Sequence, residues 1–313
     1  MSSRLSQEIT ARWNKGFTKV EVSGLGASAR AFLIADLIAN TKQRIAVIAP
    51  DLSSAERIHQ DIKGFLKILG HESLAGDVDF FSGWEQSPYR AFHPSIKNRI
   101  RRLRALRRIQ LGLSRAIVMD VEALAQRCQP VQEISEQALV LKPGETWSRQ
   151  DLCSKLEAAG YSRNDPVEDP GTYTVRGSLF DIFSSSNRRP FRIDFFDETI
   201  ESIKTFDPNS QRTEAQSLSS AEIFPIADFS FDEKSGARAK SAIKHFCDEF
   251  GIPKQQRDEI FEKIDAKIKD PLFEYLAPYF REKDGVSVLE YLKTNPTWQI
   301  AVSDFLGVES SAD

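Results

Sequence analysis

Residues 161–206 constrain the fold more than any other part of the sequence, because β-rich runs follow one another there with only short polar turns between them. The runs cover residues 173–183, 191–197 and 199–206. The segments between them are rich in Ser, Asn, Pro and Asp, which are turn-forming residues. Strands joined by short turns pair with their neighbours in opposite directions. The sequence therefore predicts an antiparallel meander at the centre of the chain.

This meander carries both apolar and charged side chains. We expect four apolar residues to pack on one side of the sheet: Leu179, Ile193, Ile200 and Ile203. Five charged residues remain that a small sheet does not easily bury: Arg163, Arg176, Arg192, Asp194 and Glu201. Arginine and carboxylate groups held on strands favour recognition of a partner. The alternative is a solvated sheet face.

Composition excludes several classes of protein. The chain has 313 residues, of which 41% are hydrophobic and 28% charged, so it is long enough for two domains with a substantial core and a soluble surface. The formal net charge of −3 argues against a general nucleic-acid binder.

Cysteines and targeting signals point to a reducing cytoplasm. Cys128, Cys153 and Cys247 are odd in number and far apart, which predicts neither a disulfide framework nor a metal site. The first residues are too polar for a secretory signal, and no apolar run approaches the ~20 residues that span a bilayer. We therefore expect a cytoplasmic protein without membrane contact.

Upstream of the meander, β-type runs alternate with helical patterns. The expected strands are residues 18–22, 45–49, 78–81 and 116–119, with a last strand at 298–302. Helical spacing of apolar residues follows at 29–39 and from residue 58 onwards. This alternation predicts an α/β domain with a parallel sheet.

Residues 18–39 combine an expected strand, a glycine loop and a helix, which is the arrangement of a nucleotide-binding P-loop. Counted from Gly24, the second glycine, the lysine and the Mg²⁺-binding hydroxyl of that motif correspond to Ala29, Arg30 and Ala31. Ala31 cannot ligate Mg²⁺, and Ala29 adds a Cβ where phosphate would approach. We therefore expect a degenerate P-loop with no nucleotide, no cofactor and no catalysis. The alternative is an ordinary α/β connection.

A predicted helix from about residue 96 to 109 carries the strongest local run of positive charge. Its apolar stripe is Ile96, Ile100, Leu103, Leu106 and Ile109. One hypothesis is contact with nucleic-acid phosphates through Arg101, Arg104 and Arg108. We favour the alternative, a solvated face or one paired with acidic residues, because no aromatic residues interleave to stack on bases.

Further along, the linker-like segment 128–146 contains Pro and Gly, and a helix is expected directly after it. Ser148 precedes Asp151 by three residues, a capping pattern that places the start of this helix at Ser148. A helix followed by the meander predicts a small α+β domain.

The motifs of the meander resemble one known family. They are Tyr161-x-Arg163-Asn164-Asp165, Val175-Arg176-Gly177-x-x-x-Asp181-Ile182-Phe183, Arg192-Ile193-Asp194-Phe195-Phe196-Asp197, Ile200-Glu201-Ser202-Ile203 and Phe206-Asp207-Pro208-x-x-Gln211-Arg212. Together they resemble the domain-2 signature shared by UvrB and the transcription-repair coupling factor, Mfd. The last motif favours the coupling-factor family, whose N-terminal UvrB-homology module this chain resembles over nearly all its length.

That resemblance implies a fold and a division into domains. It implies a P-loop-NTPase-like but degenerate parallel α/β domain into which a small α+β domain with an antiparallel sheet is inserted. Residues 1–129 would be the first part of the α/β domain, 130–212 the inserted domain, and 213–313 the returning segment that completes the α/β domain.

It also implies a function. In the family the inserted domain docks UvrA, the damage-recognition protein of nucleotide excision repair, and the matching charged positions are Arg163, Arg176, Arg192 and Asp194. UvrB typically has a second arginine where this chain has Thr174. Other domains of the full-length family bind RNA polymerase and, through an ATP-dependent translocase, DNA. The alternative function is that of a UvrB-like, DNA-binding and ATP-dependent repair protein.

Overall fold

The computed structural model describes residues 3–83, 96–136, 138–185, 187, 189–226, 232–266, 268, 273, 276–295 and 297–312. The chain forms two compact units. The first comprises Met1–Glu85, Ala105–Arg127 and Ser287–Asp313, and the second comprises Gln86–Arg104 and Cys128–Val286. The domain boundaries at residues 130 and 212 stay a prediction.

Helices and strands alternate through the described chain. The helices are α1 (Arg4–Asn14), α2 (Ala27–Asn40), α3 (Leu52–Ile68), α4 (Glu72–Ala75), α5 (Ile96–Gln110), α6 (Val121–Ala125), α7 (Val131–Glu136), α8 (Arg149–Ala158), α9 (Glu233–Glu249), α10 (Lys254–Asp265), α11 (Ala277–Phe280), α12 (Val288–Lys293) and α13 (Phe305–Ala312). The strands are β1 (Arg44–Ala49), β2 (Val78–Phe81), β3 (Ala116–Asp120), β4 (Leu139–Leu141), β5 (Ser162–Arg163), β6 (Thr172–Arg176), β7 (Leu179–Ile182), β8 (Phe191–Phe196), β9 (Thr199–Phe206), β10 (Thr213–Ser217), β11 (Ala221–Ile223) and β12 (Trp298–Val302). The fold is therefore mixed α/β. No helix in the described ranges is both long enough and apolar enough to cross a membrane.

The first unit is built on a four-stranded parallel sheet in the order β12-β1-β3-β2. The two central strands, β1 and β3, are nearly continuous apolar runs that are buried on both faces, and Ile45, Val47 and Val118 are essentially inaccessible. Side chains from α2 and α3 join them in one core cluster. The predicted strands at 45–49, 78–81, 116–119 and 298–302 are confirmed, and so is their parallel arrangement.

The strand predicted at residues 18–22 is wrong. This segment has no strand structure, and Lys19 and Glu21 form an exposed ion pair with each other, 2.6 Å between Nζ and Oε1. Val20 packs partly against the core cluster of the first unit, whereas Val22 is 40% exposed. Alternation of apolar and charged residues thus produced one partly buried contact but no sheet pairing.

The second unit contains a six-stranded sheet in the order β10-β9-β8-β7-β6-β5. Strands β6 to β9 pair antiparallel with their sequence neighbours, which confirms the predicted meander. β5 adds to β6 in parallel, and β4 and β11 form a separate antiparallel pair.

Helix α8 covers one face of this sheet. Ser148 caps it by accepting a hydrogen bond from the Asp151 amide at 3.4 Å, which confirms the predicted helix start. Leu152 and Leu156 of α8 are buried in a cluster with the sheet residues Phe180 and Ile193. Burial of each such side chain contributes about 1.5–3 kcal/mol, so this cluster is the main stabilising element of the small sheet.

Candidate docking site on the antiparallel sheet

The two faces of the meander differ in chemistry because side chains alternate along each strand. Ile193, Ile200 and Ile203 are buried in the apolar cluster beneath α8, as predicted. The other face carries two cross-strand rows that the ladder register defines. The first row is Thr174, Asp181, Arg192 and Lys204, and the second is Arg176, Leu179, Asp194 and Ser202. Leu179 therefore lies among the charged residues, and its predicted place in the apolar cluster is wrong.

Asp181 is the centre of the charged face. Its side chain is 1% exposed and lies between two arginines. Oδ2 accepts a hydrogen bond from Arg176 Nη2 at 2.7 Å and another from Arg192 Nη2 at 2.8 Å. Oδ1 accepts a third from Arg192 Nε at 2.8 Å. One buried carboxylate thus holds two guanidinium groups, and the pair with Arg192 is bidentate.

Arg192 is mainly a structural residue of this face. Only 14% of its side chain is exposed. Its Nη1 donates to the backbone oxygen of Gln211 at 3.1 Å and to Thr213 Oγ1 at 2.8 Å, and its guanidinium carbon lies 4.4 Å from the ring centroid of Phe206. The hydrogen bonds to Asp181 raise the pKa of Arg192 above its usual value. Arg192 therefore joins the sheet to the segment that follows β9.

Arg176, by contrast, reaches solvent. Its side chain is 41% exposed, and Nη1 lies 3.5 Å from Oδ1 of Asp165, which is 54% exposed. Arg163 on β5 is exposed as well, and Asp194 is half-buried. The four predicted contact residues thus occur on one sheet: Arg163 and Arg176 are accessible, Asp194 is partly so, and Arg192 is held by Asp181. Arg163 pairs with Tyr173, which is buried in the apolar cluster, so Arg163 does not belong to the two charged rows.

A tight loop after β9 borders this face. Asp207 Oδ1 accepts hydrogen bonds from the amides of Asn209 at 3.1 Å and Ser210 at 2.9 Å. The bond from the Ser210 amide is the main reason that the pKa of Asp207 lies below its usual value. Gln211 follows with a left-handed backbone (φ 58°), which directs its carbonyl to Arg192. The motif Phe-Asp-Pro-x-x-Gln-Arg is therefore a rigid border of the charged face.

Sequence reasoning missed Asp181 as the organising residue. The signal was present, because a single carboxylate stands between Phe180 and Ile182 in an otherwise apolar strand. A charge in such a position requires a partner, and the structure supplies two. Thr174, which stands where UvrB typically has an arginine, is 2% exposed and pairs with Asp181 in the ladder.

The glycine loop and the basic helix were the other predicted sites. Gly24 has φ 79°, and α2 begins at Ala27. Ala31, the position of the Mg²⁺-binding hydroxyl, is fully buried in the apolar core of the first unit. The degenerate P-loop and the relation of this unit to P-loop proteins stay predictions.

Helix α5 presents less positive charge than its sequence suggests. Arg108 is buried: Nε lies 2.8 Å from Asp79 Oδ2, and Nη2 lies 2.7 Å from Asp77 Oδ1. Both interactions raise the pKa of Arg108, against the opposing effect of burial. Arg101 and Arg104 are half-buried. The geometry at Arg108 favours pairing with acidic residues, and phosphate contact through Arg101 and Arg104 stays a prediction.

Metal binding has no support in the described part of the chain, where no three His, Cys, Asp or Glu residues cluster in a way that could hold an ion. The exposed Arg176 and the buried carboxylate that holds it make the charged face a candidate for binding a macromolecule through hydrogen bonds and ion pairs.

Comparison with known proteins bears on this face directly. Residues 139–229, which include the whole meander, match the family described as "UvrB interaction domain". Similarity to proteins named transcription-repair-coupling factor extends much further along the chain. The relative from Escherichia coli (strain K12) is 30% identical over 87% of this chain, that from Myxococcus xanthus 31% over 94%, and that from Bacillus subtilis (strain 168) 25% over 90%.

The chain spans 22–25% of the length of these relatives. The predicted resemblance is confirmed: residues 139–229 match the UvrB interaction domain family, and the chain is similar over most of its length to the transcription-repair-coupling factors.

Proposed function

We propose that this chain docks UvrA through the charged face of its antiparallel sheet, and so serves recruitment of UvrA in transcription-coupled nucleotide excision repair. The observation that carries the proposal is the buried carboxylate of Asp181, which holds the guanidinium of Arg176 at 2.7 Å within the residues that match the UvrB interaction domain family. A preorganised arginine loses little conformational entropy when it pairs with a carboxylate of a partner.

The chain acts in this proposal as a binding module of the cytoplasm without catalysis of its own. Ala29 and Ala31 at the P-loop positions support that assignment, because neither can replace the residue that the motif requires. In the longer relatives, RNA polymerase and DNA would engage domains outside the length that this chain matches.

Arg176→Ala tests the proposal. Truncation of one partner of an interfacial charge pair costs about 2–5 kcal/mol, so we expect the dissociation constant for purified UvrA to rise at least tenfold, which corresponds to about 1.4 kcal/mol. The variant should stay folded, since Asp181 keeps its bidentate bond to Arg192.

Arg12→Ala is the matched control. Arg12 is also an exposed arginine in an ion pair, 2.9 Å from Glu8 with 49% of its side chain exposed, but it lies on α1 of the first unit. Isothermal titration at one fixed salt concentration compares the two variants. Equal affinity of Arg176→Ala and the wild type would refute the assignment of this face, and absence of binding by the wild type would refute the function itself.

A further inference from the structure

Phe196 at the end of β8 is exposed in a way that the fold does not require. It leaves 76% of its surface accessible, whereas the adjacent Phe195 leaves 3% and belongs to the core beneath α8. Isolated exposed apolar residues are common on protein surfaces. Phe196 differs from such isolated residues because it lies next to the charged face.

The support under Phe196 is rigid. Phe196 pairs with Thr199 across a two-residue turn in which Asp197 adopts φ 56°. Arg149 of α8 donates to the Asp197 backbone oxygen at 2.8 Å and to the Gly177 backbone oxygen at 3.0 Å. One arginine therefore ties the two hairpin turns at this end of the sheet to the start of α8, so the ring is presented on a fixed support.

The ring also continues the charged face. Arg192, Asp194 and Phe196 follow one another at two-residue spacing along β8, and Phe195, which points into the core, separates the last two. Asp194 shares its cross-strand row with Arg176. An aromatic residue next to arginines is the composition typical of the few residues that supply most of the binding energy in protein interfaces.

We propose that Phe196 is the apolar anchor of the charged face and inserts into an apolar pocket of UvrA that is flanked by carboxylates. The inference rests on the proposed function. The carboxylates pair with Arg176 on β6, whose row also contains Asp194. The ring supplies the apolar contact area beside that pair.

Three variants of the full chain test this assignment against purified UvrA. Phe196→Thr removes the ring but keeps a residue suited to a strand, and Phe196→Leu keeps apolar volume. Ile68→Ala is the control, because Ile68 is 80% exposed on α3 of the first unit. We expect Phe196→Thr to raise the dissociation constant at least tenfold, Phe196→Leu to raise it less, and Ile68→Ala to leave it unchanged. All three melting temperatures should stay within about 2 °C of the wild type, as for exposed residues.

The possible outcomes separate the two proposals. Wild-type affinity of Phe196→Thr together with weak binding by Arg176→Ala would overturn the anchor and leave the docking face intact. Weak binding by Phe196→Thr with a clearly lowered melting temperature would show a structural role and also overturn it. Failure of the wild type to bind UvrA would overturn the proposed function and the anchor with it.

Discussion

Replacement of Asp181 by Asn removes the buried negative charge at the centre of the docking face while keeping the shape of the side chain. The wild-type carboxylate accepts three hydrogen bonds of 2.7–2.8 Å from Arg176 and Arg192. The amide of Asn keeps one oxygen as an acceptor, but it directs an NH₂ group at a guanidinium that can only donate. Two positive charges then face each other without the group that separated them.

The loss in free energy of unfolding caused by Asp181→Asn depends on the other partners that remain for Arg176 and Arg192. Removal of one member of a buried ion pair costs about 3–5 kcal/mol. Arg176 is 41% exposed and is resolvated by water, and Arg192 keeps its bonds to the Gln211 backbone oxygen and to Thr213. Discounted for this screening, the expected loss in free energy of unfolding is about 2–3 kcal/mol.

Urea unfolding at neutral pH measures this loss as a lower midpoint at an unchanged slope. Asp194→Asn is the matched control, because Asp194 lies on the same face, is half-buried, and its side chain has no hydrogen bond or ion pair in the described part of the chain. We expect the control to change stability by less than about 0.5 kcal/mol. A loss for Asp181→Asn that is no larger than the loss for Asp194→Asn would refute the structural role of the buried carboxylate.

Two further predictions concern the backbone around this sheet. Gly171 has φ 87°, and a Cβ there would lie 2.8 Å from Ile226 Cδ1, so Gly171→Ala should lower the free energy of unfolding by about 2–4 kcal/mol. Gly177 has φ 60° with nothing within 4 Å of an added Cβ, so Gly177→Ala should lower it by only about 1 kcal/mol. Equal losses for the two variants in urea unfolding would contradict the predicted clash. The lowered pKa of Asp207 means that its stabilising hydrogen bonds are fully present above the pKa of the unfolded chain and are lost as pH falls through the folded value. An NMR titration of the loop amides that gave a midpoint at or above about 3.9, the ordinary value for Asp, would contradict this.

Sequence patterns predicted the meander because its information is local. Short turns between β-rich runs leave antiparallel pairing as the simplest arrangement, and the structure has it. The face on which each residue lies depends on the register between strands, which a single residue reverses. Leu179 was assigned to the wrong face for that reason, and Asp181 was overlooked because its burial depends on Arg192, eleven residues away in sequence but opposite it in the sheet.

The parallel sheet was predictable to a different extent. Nearly continuous apolar runs identified β1 and β3, since a strand buried on both faces requires them. The segment at 18–22 alternates apolar and charged residues but forms no strand, whereas β12, from the far end of the sequence, pairs with β1. Local pattern alone does not decide which of two candidate strands completes a sheet.

The pairing of β1 with β12 has a consequence for synthesis of the chain on the ribosome. Arg44 of β1 pairs with Trp298 of β12, so about 250 further residues must be synthesised after β1 before β12 is available for pairing. Every strand of the six-stranded sheet lies within residues 162–217 and is complete long before that. We therefore expect the six-stranded sheet to fold first during translation. Until β12 is synthesised, the parallel sheet has an unpaired edge on β1, which is vulnerable to misassembly.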